Sequence, residues 1–160
     1  MEAIDVMHTT LVTILPGDTV EHAARLMLNH GISGLPVVED DGRVVGMVTE
    51  GDLLHRVEND TQRHRSLLSE MFSSSERLAG EFVKSTGRQV KDVMTRGPVS
   101  VGEEALLGDI ADLFDLHKIK RVPVLRDGKL VGIVTRSDLL RALVGFGGPR
   151  AEDLGLVDFP

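Results

Sequence analysis

Two short apolar runs, 122–125 and 130–134, flank the dipeptide Asp127-Gly128. This spacing predicts a two-stranded hairpin, because an Asp-Gly pair readily takes the positive φ angles of a tight turn. A helix follows, opening at Ser137-Asp138. The same order occurs earlier: strand 35–38, an acidic turn Asp40-Asp41-Gly42, strand 43–48, and a helix from about Gly51. Ahead of each hairpin lies another helix. In the first, Val20, Ala23, Ala24, Met27 and Leu28 form the apolar stripe behind Asp18 or Thr19 as cap, and Gly31 ends it. In the second, the stripe is Leu106, Leu107, Ile110, Leu113 and Phe114, and Ala105-Leu106 stand where the cap residues stood. Short strands at 11–14 and 99–101 precede these helices.

The likeness is a registered repeat. His30-Gly31-Ile32-Ser33-Gly34-Leu35-Pro36-Val37-Val38 runs beside His117-Lys118-Ile119-Lys120-Arg121-Val122-Pro123-Val124-Leu125, 87 positions on. Gly46-Met47-Val48-Thr49-Glu50-Gly51-Asp52 matches Gly132-Ile133-Val134-Thr135-Arg136-Ser137-Asp138 at 86, so one residue is lost at the hairpin tip. Asp5-Val6-Met7 and Asp92-Val93-Met94 return to 87. The chain is a tandem duplication. The predicted class is α+β: two β-α-β-β-α units, each too small to cover its own sheet, packed about a pseudo-twofold axis. The boundaries read as 1–57 for the first repeat, 58–90 for a helical insert, 91–144 for the second repeat and 145–160 for a loose tail. The insert carries Leu67, Leu68, Met71 and Phe72, then Leu78, Ala79, Phe82 and Val83, at helical spacing.

Composition narrows the function. The 160 residues carry 25 acidic and 18 basic side chains, a net charge of −7, which argues against nucleic acid or an anionic membrane as partner. There is no cysteine, hence no disulfide or thiolate chemistry. No window is apolar over the ~18 residues of a membrane span, and Glu2 and Asp5 stand where a signal peptide would carry cations, so a cytoplasmic location is expected. With five Phe and neither Trp nor Tyr, a flat ligand would lie between aliphatic side chains. The six histidines show no metal-ligand spacing, and no nucleophile motif marks an enzyme.

The candidate chemistry sits at the strand ends. In Thr135-Arg136-Ser137-Asp138 a hydroxyl and a carboxylate meet beside a helix N-terminus, a place suited to a small polar ligand. The plainer reading makes Asp138 a helix cap, and on the second copy alone the two are even. Thr49 and Asp52 repeat the pair at the same spacing, which tips the balance towards binding. Lys120 and Arg121 precede the second hairpin and suit an anion, or form a solvated loop. Their counterparts are the uncharged Ser33 and Gly34.

The paired pattern of an apolar-Pro-Val strand, an acidic-Gly turn, Gly-x-x-Thr-x-x-Asp and a Leu-Leu helix resembles a tandem cystathionine-β-synthase (CBS) domain pair, or Bateman module, of small bacterial type. The resemblance covers roughly residues 5–54 and 92–143. It implies a non-catalytic regulatory module that binds an adenosine-type ligand, AMP, ADP or ATP, with NAD or S-adenosylmethionine also in range, and needs no obligatory cofactor. It implies a homodimer that signals to an effector protein of unknown identity. Thr135 and Asp138 match the family's ribose-binding positions, as do Thr49 and Asp52. Lys120 and Arg121 match basic residues directed at phosphates. Val99, Ile119 and Pro123, with Val12, Ile32 and Pro36 in the first copy, fall at purine walls or in ordinary core. The cationic pair predicts a phosphorylated ligand in the second-copy cleft and an empty or less charged first cleft. The alternative is an assembly scaffold with vestigial clefts.

Overall fold

The computed structural model describes residues 1–59 and 88–145. In chain order these form α1 (Ala3–Val6), α2 (Val20–His30), β1 (Gly34–Val38), β2 (Val44–Thr49), α3 (Glu50–Asn59), α4 (Val90–Val93), β3 (Thr95–Arg96), β4 (Val101–Gly102), α5 (Leu107–His117), β5 (Arg121–Arg126), β6 (Lys129–Thr135) and α6 (Arg136–Leu143). Two three-stranded sheets result, β1-β2-β3 and β4-β5-β6. Each contains one hairpin, with Gly34 opposite Thr49 in the first and Arg121 opposite Thr135 in the second. The second turn has φ of 53° at Asp127 and 76° at Gly128, the left-handed pair that matches the strand twist.

The leading segment of each repeat packs on the other repeat. Ala3 N–H donates to Ala105 O at 2.8 Å, and His8 and Ile133 exchange two backbone hydrogen bonds of 2.8 and 3.0 Å. Reciprocally, Val90 N–H donates to Asp18 O and Val20 N–H to Arg88 O, both at 2.8 Å, and β3 extends the first sheet beside β2. Two small helices set these crossings. The Asp5 carboxylate accepts Glu2 N–H at 2.8 Å, and that of Asp92 accepts Gln89 N–H at 3.3 Å.

Two methionines and two glycines lock the exchange. A Cβ on Gly46 would lie 2.5 Å from Met94 Sδ, and one on Gly132 would collide with Met7 Sδ. Both glycines therefore admit a side chain from the other half, and burying each methionine contributes about 1.5–3 kcal/mol. Val90, Val93 and Met94 complete the first core around Ile14, Val20, Ala23, Met27, Leu35, Val37 and Val48. Ala3 and Met7 complete the second, around Ile110, Phe114, Val122, Val124 and Val134.

Several expectations change. The strand over 11–14 is a single parallel bridge from Ile14 to Val37. The chain leaves the sheet at the next residue, whose N–H the Asp18 carboxylate accepts at 3.0 Å. The second copy's strand is Val101–Gly102, two residues later than its expected start. Leu28 is 81% exposed and Leu106 52% exposed, so neither belongs to a buried stripe. The missing cap is confirmed: Thr19 Oγ1 accepts His22 N–H at 3.1 Å, whereas Leu106 offers no side-chain cap to α5. The insert's expected helices and the tail after Gly145 lie outside the described residues.

Candidate functional site

Each repeat ends its second strand in a Thr whose hydroxyl caps the next helix, and three residues on an Asp turns back to the same Thr. In the second repeat, Asp138 Oδ2 accepts Thr135 N–H and Thr135 Oγ1–H, both at 2.8 Å. In the first, Asp52 Oδ2 accepts Thr49 N–H at 2.9 Å and Oγ1–H at 3.1 Å. Both are capping boxes, so the helix-cap reading of these residues holds, and it leaves the second carboxylate oxygen of each Asp for other work.

That second oxygen differs between repeats. Asp138 Oδ1 accepts His8 Nε2–H at 2.8 Å and Arg141 Nη1–H at 3.2 Å. Against a carboxylate the ring nitrogen must donate, since an ionised Asp carries no proton. Asp138 is 3% exposed. Burial pushes its pKa up, but the hydrogen bonds from His8 and Thr135 outweigh that and hold it below 3.8. Asp52 is half-buried, and among the described residues no group donates to its Oδ1. Thr95, the counterpart of His8, is exposed.

Arg121 stands at the junction of the repeats. Its Nη1–H donates to Gly34 O at 3.1 Å, and its Nη2–H to Ser33 Oγ. A Cβ on Gly34 would lie 3.0 Å from the guanidinium, so the glycine leaves room for the cation. Arg121 thus packs on its own counterpart in the other repeat. Burial pulls its pKa below the ordinary guanidinium value, opposed by the charge of Glu50, and the guanidinium stays charged. Among the described residues no carboxylate forms an ion pair with it.

The other predicted residues are more dispersed. Lys120 is exposed, and its carbonyl accepts Arg136 N–H at 3.1 Å. Val99 and Ile119 are half-buried at the edge of the second core, and Val12 and Ile32 occupy the matching edge of the first. Pro36 and Pro123 are fully enclosed within their strands and present no free wall. Two open hollows lie elsewhere. One of about 520 Å³ is lined by Lys91, Asp92, Met94, Thr95 and Arg96, the other, of about 640 Å³, by residues of α5 and α6 with Met1.

His8, Arg141 and Ser33 contact the predicted residues Asp138 and Arg121 and were not among the candidates read from the sequence. The repeat register held a signal for the first: one step beyond Met7 and Met94 it pairs His8 with Thr95, a change from a titratable donor to a neutral hydroxyl.

The profile of the CBS domain matches this chain twice, over residues 3–59 and 90–145. The chain belongs to the CBS-domain family. This CBS pair is 34% identical over 141 residues to the chloroplastic CBS domain-containing protein CBSX1 of Arabidopsis thaliana, covering 82% of this chain. It spans only 58% of that relative's length. Among solved structures, CBSX2 in complex with AMP superposes with a TM-score of 0.70 at 31% identity, covering 92% of this chain and 98% of that one. The CBS domain of a CBS domain containing membrane protein from Sphaerobacter thermophilus gives 0.71 at 34%, covering 88% and 86%. The two repeats, their α+β content and their three-stranded sheets are those of a CBS pair.

Proposed function

We propose that this CBS pair is a non-catalytic sensor that binds an adenine nucleotide of the AMP, ADP or ATP class at the clefts between its repeats. Thr49 with Asp52, and Thr135 with Asp138, take the ribose. Arg121, with Lys120 beside it, takes the phosphate, and Val99 and Ile119 border the base. The observation that carries the reading is Arg121: a half-buried guanidinium at the junction of the repeats, held by a carbonyl and a hydroxyl. A buried cation without a paired charge is costly, and an anionic ligand would relieve that cost. Among the described residues, three of its five N–H groups remain for a phosphate. The AMP complex of CBSX2 supports the same ligand class.

The output runs through a homodimer. Leu116, Leu140 and Leu143 are 74%, 63% and 82% exposed on α5 and α6, an apolar helical face that a second copy would cover. That face is also what favours the second reading, an assembly scaffold whose clefts stay empty. Coupling requires the nucleotide to bind two arrangements of the dimer with different affinity.

Calorimetric titration with AMP, ATP, adenosine, NAD and S-adenosylmethionine tests the proposal. Arg121→Ala should weaken AMP about tenfold and adenosine less than about twofold, since only AMP presents a phosphate. Equal losses for both would remove Arg121 from the phosphate role. No heat with any of these ligands leaves the scaffold.

A further inference from the structure

We infer that His8 selects between the two clefts. Its imidazole occupies the outward oxygen of Asp138, so a nucleotide fills the Thr49–Asp52 cleft first and enters the Thr135–Asp138 cleft only by displacing His8. This reverses the order expected from the cationic pair alone, and it rests on the reading above that these carboxylates take ribose hydroxyls.

An ionised carboxylate offers about four lone-pair positions. At Asp138 four donors fill them: Thr135 N–H and Oγ1–H on Oδ2, His8 Nε2–H and Arg141 Nη1–H on Oδ1. At Asp52, among the described residues, Thr49 alone donates, both times to Oδ2. The 2′ and 3′ hydroxyls of a ribose bring two donors and need two open positions. Asp52 Oδ1 has them among the described residues, and Asp138 Oδ1 does not.

The clasp is not a loose surface pair. The Asp138 side chain is 2% exposed and that of His8 18%. The His8 backbone is tied to Ile133 by its two hydrogen bonds, so rotation of the His8 side chain, with that of the more exposed Arg141, can free Asp138 Oδ1 while the leading segment stays in place. Arg121 fits the same order. Its guanidinium reaches away from its own repeat to Ser33 and Gly34, and Gly34 lies opposite Thr49 across the first hairpin. The cation belonging to the second repeat by sequence is therefore presented to the first repeat's cleft.

The test titrates AMP by calorimetry into the full chain and into His8→Thr, which carries the first repeat's residue at the second repeat's position. The parent should bind one AMP tightly, with that event lost in Asp52→Ala. His8→Thr should tighten the second event about tenfold, the worth of one charge-assisted hydrogen bond, and Asp138→Ala should remove it. Thr95→His, at an exposed position that tolerates the change, should weaken the first event about tenfold. In the parent, the His8 imidazole NMR signals should hold still through the first equivalent and move with the second, a readout that does not depend on any variant folding. If the parent binds AMP and His8→Thr leaves both events unchanged, the selection by His8 is wrong while the nucleotide reading stands. A first AMP that is lost in Asp138→Ala and kept in Asp52→Ala overturns it as well. Absence of AMP binding in parent and variants alike overturns the nucleotide reading, and the role of His8 with it.

Discussion

The two carboxylates that end the paired hairpins occupy the same frame and live in different surroundings. Asp52 and Asp138 each fold back on a Thr three residues earlier, and each sits where a strand hands over to a helix. Around Asp138 the opposite half has added an imidazole, and the helix it opens has added a guanidinium. Around Asp52 the matching residue from the opposite half is an exposed Thr95. Duplication has kept the backbone geometry that makes such a site and let the charge at its mouth diverge. A cap is a local arrangement that any copy of the motif reproduces, whereas a clasp needs a partner delivered from 130 residues away.

The largest effect should come from removing the two carboxylates in turn. Asp138→Ala leaves His8, Arg141 and the Thr135 N–H without their buried acceptor and should cost about 3 kcal/mol, against about 1 kcal/mol for the half-buried Asp52→Ala, measured by urea unfolding. Similar losses at the two positions would mean that the clasp adds nothing to the fold. The same contrast has a pH form. The folded Asp138 ionises below its ordinary value, so the unfolded chain binds more protons. Its contribution is complete above about pH 5 and is lost as the pH falls through the folded value. The gap between parent and Asp138→Asn should therefore narrow between about pH 5 and pH 2.

A smaller effect separates the two interlocking wedges. Gly46→Ala meets Met94 Sδ and also the Thr95 carbonyl oxygen at 2.9 Å, which is backbone paired in the sheet. At Gly132 the three atoms nearest an added Cβ all belong to the side chain of Met7, which can swing aside in part. Thermal unfolding should show Gly46→Ala losing about 2–3 kcal/mol and Gly132→Ala about 1–2 kcal/mol. A reversed order would place the rigid wall in the second repeat.

The smallest concerns the two long helices. Thr19→Ala removes a cap hydrogen bond from α2 and should cost about 1 kcal/mol, while Leu106→Thr supplies one that α5 lacks and should gain up to about 1 kcal/mol. Denaturant midpoints of the two variants should move in opposite directions.

Much of this was legible from residue order. Alternating hairpins, the Asp127-Gly128 turn, the Thr19 cap and its loss at Leu106 are all written in neighbouring residues, because turns, caps and strands are made by contacts a few positions apart. The repeat register located Thr49 with Asp52 and Thr135 with Asp138 for the same reason. What lay beyond it depends on contacts between the halves. That Arg121 lies on Ser33 and Gly34, that His8 reaches Asp138, and that each leading segment crosses to the opposite sheet follow from how two surfaces fit once both are folded. Periodicity says which face of an element is apolar, not which distant element covers it, and so it made Leu28 a core residue when it is solvent-facing. The sequence alone determined two copies of a strand-end carboxylate. Tertiary packing decided which of them meets an imidazole, because His8 reaches Asp138 from 130 residues away.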